Sequence, residues 1–191
     1  MKPDKLLAAL ALNLTLTLTL TLTLILAGCA STGPAPLARL GLKLAPSQLG
    51  EAVSLQQHLT VERGGRIDEL DVALEIDASH IEMVGLAFGQ RVLSIAYDGK
   101  EMTSWRHLML PRQVRADDVL EDMQLTLWPV AAIAASLPPG WRIEEHGAVR
   151  KLFLDDALVA TITYAGQPRW NGTIVMDNLR YQYKLTIQSA P

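Results

Sequence analysis

The sequence predicts a mainly β (α+β) fold: a curved antiparallel sheet, or incomplete β-barrel, covered by a short central helical segment. Three observations carry that expectation. Apolar residues recur at every second position through most of the chain from Val53 onward. Gly, Asp and Asn pairs interrupt those runs at hairpin spacing. A single stretch in the middle changes to helical spacing and is bounded by prolines.

The N-terminus reads as an export signal. Lys2 and Lys5 precede an apolar run from Leu6 to Leu26, and Leu26-Ala27-Gly28-Cys29 follows. A charged start, an apolar middle and a small-residue cleavage site occur in the order that secretion requires. Those last four residues resemble the lipobox of bacterial lipoproteins. The resemblance implies cleavage before Cys29 and acylation of its thiol, with Leu26, Ala27 and Gly28 as the cleavage motif. An uncleaved membrane helix is the competing reading, since about 20 apolar residues span a bilayer. The Leu-Thr repeat from Leu14 to Leu24 dilutes the run and argues against it. In the lipoproteins this one resembles, aspartate after the cysteine retains the protein in the inner membrane. Ala30 therefore implies the periplasmic face of the bacterial outer membrane, with the lipid as the membrane contact.

The chain has 17 basic and 20 acidic side chains. Removing the signal takes away two lysines and one aspartate, leaving an acidic excess of four. That balance excludes a nucleic-acid partner, which needs a concentrated basic face. Cys29 is the sole cysteine, so neither a disulfide framework nor a thiolate site is expected. The domains expected are a signal peptide over 1–28, an acylated N-terminus and flexible tether over 29–49, and a folded domain over 50–191. The tether assignment rests on Gly33, Pro34, Pro36 and Pro46.

The elements follow in order. Val53, Leu55, Gln57, Leu59 and Val61 alternate with polar residues until Gly64-Gly65 turns the chain. Leu70 to Ile76 alternates likewise, Ile81 to Phe88 is nearly continuous in apolar residues, and Val92 to Tyr97 and Lys100 to His107 complete a meander. Asp117 is expected to cap a helix bearing Asp118, Glu121 and Asp122, with Val119, Leu120, Met123, Leu127 and Trp128 at helical spacing. Pro129 breaks it, a second helix is expected over Val130 to Leu137, and Pro138-Pro139-Gly140 stops the segment. Strands resume at Trp141 to Glu145, Val149 to Leu154, Leu158 to Tyr164 and Trp170 to Met176. The last strand is expected to begin at Leu179 and to place Leu179, Tyr181, Tyr183, Leu185 and Ile187 on one face.

That order resembles the periplasmic lipoprotein carrier and outer-membrane acceptor fold (LolA/LolB-like), which implies an incomplete barrel whose helical lid covers an apolar cavity for acyl chains. More narrowly, Leu125-Thr126-Leu127-Trp128-Pro129, Leu137-Pro138-Pro139-Gly140-Trp141 and the closing run from Asn178 to Ile187 resemble an uncharacterised bacterial lipoprotein family, a domain of unknown function (DUF3261). Association of some of its members with clusters making aryl polyenes or fatty-acid-like products implies an acyl or polyene ligand.

No catalytic constellation is visible. His58, His80, His107 and His146 lack metal-ligand spacing, no nucleophile elbow surrounds a serine, and no glycine loop suits a phosphate. The reading is a non-enzyme without cofactor or metal. The acidic group at Asp117 to Asp122 is explained by capping and dipole effects, and Asp155-Asp156 by a hairpin turn. The candidate cavity lining is Trp105, Leu120, Met123, Leu127, Trp128, Trp141, Trp170, Tyr181 and Tyr183, because aromatic rings line apolar cavities and methionines adapt to varied chains. Met83, Met102, Met109 and Met176 could serve the same end or simply fill gaps. The expected function is binding or transfer of an acyl, polyene or lipoprotein lipid. The alternative is a structural lipoprotein that docks another cell-envelope protein through a sheet edge.

Overall fold

The structure is a computed structural model that describes residues 39–190. Leu26, Ala27, Gly28 and Cys29 lie outside the described residues. Residues 39–190 belong to one compact unit. Its ten strands are β1 (Val53–Arg63), β2 (Arg66–Ile76), β3 (Ile81–Ala87), β4 (Gln90–Tyr97), β5 (Met102–Arg106), β6 (Trp141–His146), β7 (Val149–Leu154), β8 (Ala157–Tyr164), β9 (Gly172–Asn178) and β10 (Tyr183–Ala190). All lie in one antiparallel sheet of order β5-β4-β3-β2-β1-β10-β9-β8-β7-β6. Every neighbour except the β1–β10 pair is also a sequence neighbour. The chain therefore makes two meanders, joined in space by its first and last strands.

Two helices connect the meanders: α1 (Ala116–Leu127) and α2 (Val130–Ala134). All residues from Leu120 to Trp128 are buried, so α1 has no solvent face over its last two turns. β4 packs against it, and so do side chains of β7, β8 and β10. In a flat sheet, strands β4 and β7 would stand roughly 33 Å apart at about 4.8 Å per strand. A helix is only about 10–12 Å across. The sheet therefore bends around α1, while its edges β5 and β6 remain unpaired with each other. This is the mainly β, incomplete-barrel architecture expected.

The hairpins follow their turn chemistry. Gly64 and Gly65 hold φ of +57° and +78°, and Asp155 and Asp156 hold +46° and +65°, the paired positive φ values of a tight hairpin turn. Asp98 accepts the Lys100 and Glu101 amides at 2.8 and 2.7 Å, closing the β4–β5 turn.

Several boundaries differ from expectation, among them β5 and β9, which run Met102–Arg106 and Gly172–Asn178. Helix α1 is capped by Arg115 without a side-chain bond. Asp117 lies inside the first turn and pairs with Lys43 at 3.1 Å. Helix α2 stops at Ala134, short of Leu137. Strand β10 starts at Tyr183, because Gln182 takes φ +55° and residues 179–182 form the turn; Leu179 is exposed. The folded unit also begins before Gly50. Leu42, Leu44 and Leu49 are buried in the core, so residues 39–49 form a strap across α1 and do not belong to a tether.

Candidate functional site

The strap and α1 are joined by side chains standing in for a strand partner. Gln124, fully buried, accepts from the Leu44 amide at 2.9 Å and donates to the Leu44 carbonyl at 2.8 Å. The Trp128 indole N–H donates to the Ala45 carbonyl at 3.2 Å. Glu121 accepts from the Gly41 amide at 2.6 Å. Buried polar groups are thereby paired, as the low dielectric demands.

Cations also hold the C-terminal end of α1. Arg150 of β7, 0% exposed, donates to the Leu125 carbonyl and through Nε and Nη2 to Glu145 at 2.8 and 2.6 Å. Arg169 reaches the Trp128 carbonyl at 3.4 Å and shares Glu145. Tyr164 donates to the Thr126 carbonyl at 2.8 Å. The last carbonyls of a helix lack intrahelical partners and carry partial negative charge, so positive groups stabilise them.

Between α1 and the β1–β4 and β10 part of the sheet lies a cavity of about 690 Å³. Leu59, Val61, Met83, Leu93, Leu185 and Ile187 face it from the sheet, and Val119, Met123 and Leu127 from α1. Its rim carries Ile67, Leu86, Phe88 and Met109, all large apolar side chains exposed to solvent. Phe88 is 94% exposed at the tip of the β3–β4 hairpin.

One polar cluster borders the cavity. Arg39 pairs with Asp122 at 3.0 Å and with Glu121 and Asp118 at 3.5 Å. The Tyr183 hydroxyl donates to Asp122 at 2.6 Å and receives the Asn178 amide at 3.1 Å. Burial pushes the Asp122 carboxyl up to about 6, against the pull of Arg39 and the Tyr183 hydroxyl. Burial likewise raises Glu121, with the Gly41 amide opposing it, and raises Tyr183, with adjacent Asp122 adding to the effect. Burial works against the Arg39 charge, but Asp122 and its other partners outweigh it and hold the guanidinium above its ordinary range.

The expected lining residues divide. Met123, Leu127 and Tyr183 face the cavity. Leu120 and Trp128 are instead fully buried in the core on other sides of α1. Trp105 lies on edge strand β5, half exposed, with Arg91 5.0 Å from its ring. Trp141 and Trp170 pack against the core away from the cavity. Tyr181 lies in the β9–β10 turn, with Arg39 4.3 Å from its ring centre. Of the other methionines weighed, Met83 and Met109 line the cavity, while Met176 fills core and Met102 packs against it. The acidic group has a further role beyond the dipole effect: three of its four carboxylates hold Arg39.

Arg39, Arg63, Leu59 and Val61 are absent from the expected lining. The phase of β1 carried the signal, since Leu59 and Val61 share a face with Gln57 and Arg63. No curated protein matches the chain. The family described as protein of unknown function (DUF3261) matches residues 54–191, and the chain belongs to that family.

Proposed function

We propose that this protein is a periplasmic lipoprotein, anchored to the outer membrane through Cys29, that binds or helps transfer an acyl, polyene or lipoprotein lipid moiety without catalysing a reaction. The observation that carries this reading is the apolar cavity of about 690 Å³ with an exposed apolar rim. Small-molecule sites fall in the range of roughly 300–1,000 Å³ and are mostly apolar with few polar groups. A solvated apolar rim is costly for a free domain, and it suits a mouth that meets lipid. The carrier-like element order and the lipobox support the same reading.

A saturable titration of a fluorescent fatty acid into residues 38–191 tests it. Met123→Trp, which adds bulk to the α1 wall, is expected to abolish the binding while leaving the far-ultraviolet spectrum unchanged. Absence of saturable binding to the unaltered protein would overturn the reading. A second reading, docking of another envelope protein, draws on β5, an edge strand whose residues from Thr103 to Arg106 are exposed. In that case Ser104→Pro would abolish a stoichiometric complex and leave fatty-acid binding intact.

A further inference from the structure

The inward face of β1 runs Gln57, Leu59, Val61, Arg63. At about 3.3 Å per residue these positions cover roughly 20 Å, from the buried amide of Gln57 to the open rim, where Arg63 ends the strand. The wall is thus polar at both ends and apolar between.

Arg63 stands apart from the ion pairs around the cavity. Opposite Val61, Asp68 is paired with Arg66 at 3.7 Å. Asp118 and Asp122 are taken by Arg39. Arg63 has no carboxylate within ion-pair distance among the described residues, and its Nε is buried without a hydrogen-bond partner. Its guanidinium stands 4.9 Å from the centre of the Tyr183 ring, which fixes it at the cavity wall. It also borders a second, more open depression of about 510 Å³ beside Asn178 and Lys184, which leaves room for a head group outside the main cavity. A guanidinium presents a planar fork of donors matched to carboxylate or phosphate oxygens.

We propose that Arg63 anchors the anionic head of an acyl ligand, so that the cavity selects single-chain amphiphiles with a carboxylate or phosphate head and takes the tail inward along Leu59 and Val61. This rests on the lipid-binding reading and adds the class of ligand and its direction of entry. A head at the rim stays hydrated while the tail loses contact with water, the arrangement of lowest cost for an amphiphile.

The test measures displacement of a fluorescent probe from residues 38–191 by hexadecanoate, hexadecyl phosphate and hexadecanol, with inorganic phosphate as a fourth competitor. One or both of the anionic lipids should bind at least about tenfold more tightly than hexadecanol, the scale of one charge-assisted contact. The tighter of the two identifies the head. Arg63→Gln should remove that preference and leave hexadecanol within about twofold. Lys151→Gln, an exposed cation on β7 away from the cavity, should change neither. Equal affinity of the unaltered protein for all three lipids would overturn the anchor and leave the cavity reading standing, a result that needs no variant to fold. Unchanged hexadecanoate and hexadecyl phosphate binding by a folded Arg63→Gln protein would also overturn it. Displacement by inorganic phosphate alone would reduce the site to an anion site and refute the amphiphile. If none of the lipids displaces the probe, the cavity reading fails together with the anchor.

Discussion

Replacing Arg150 by methionine removes the cation at the C-terminal end of α1 while keeping an unbranched side chain of similar length. Arg150 is fully buried and serves two acceptors, the Leu125 carbonyl and the Glu145 carboxylate. Breaking a buried ion pair by removing one partner costs about 3–5 kcal/mol. The lower end applies, because Glu145 keeps Arg169 at 3.1 Å and is partly solvated. Leaving the Leu125 carbonyl without its donor adds about 1 kcal/mol, and the apolar methionine returns roughly the same amount. The net expectation is a loss of about 3 kcal/mol, a large fraction of the 5–15 kcal/mol typical of a domain. Urea unfolding followed by tryptophan fluorescence reads it as a lower midpoint with unchanged slope. Fatty-acid affinity should fall as well, since α1 is one wall of the cavity. A loss under about 1 kcal/mol would refute the claim that Arg150 holds the helix.

Phe88 adopts φ +51° with its ring 94% exposed. Left-handed backbone costs an L-residue roughly 1–2 kcal/mol, so Phe88→Gly should raise stability by about 1 kcal/mol and weaken association with phospholipid vesicles; a less stable variant would contradict the first half. The raised Asp122 carboxyl, near 6 when folded against 3.8 as its ordinary value, binds its proton more tightly in the native state. Its contribution is therefore fully present below about pH 4 and is lost as pH rises through 6, on the order of 3 kcal/mol in total. Asp122→Asn should flatten the unfolding midpoint between pH 4 and 6 relative to the unaltered chain, and parallel profiles would sink this.

The sheet was legible in the sequence because half-buried strands alternate and tight turns demand particular residues. The alternation places Val149–Leu154 to the residue, and Gly64-Gly65 marks the β1–β2 turn. Where β10 begins was not legible, because Leu179 and Tyr181 continue the alternation through residues that actually turn. The prolines and glycines of the strap read as a tether, although Leu40, Leu42 and Leu44 show the period of a strand. Most of the cavity lining was missed for a different reason. Tryptophan signals burial but gives no direction, and Trp128 and Trp141 face other parts of the core. Nor does spacing reveal that Arg39 meets carboxylates more than seventy-five positions away; that pairing exists only once the sheet has bent.

The strap gives the molecule a mechanical wiring. Any pull on the strap at Arg39 passes through its guanidinium into Asp118, Glu121 and Asp122 of α1, and then through Gly41 and Leu44 into Glu121 and Gln124. Glu121 and Gln124 belong to the helix whose opposite side bounds the cavity, and the sheet shares the load through Tyr183 of β10, which bonds both Arg39 and Asp122, and through Arg150 and Tyr164 at the C-terminal end of that helix. A shift of the strap therefore moves one wall of the container, which links the position of residues 39–44 to the width of the space beside Met123.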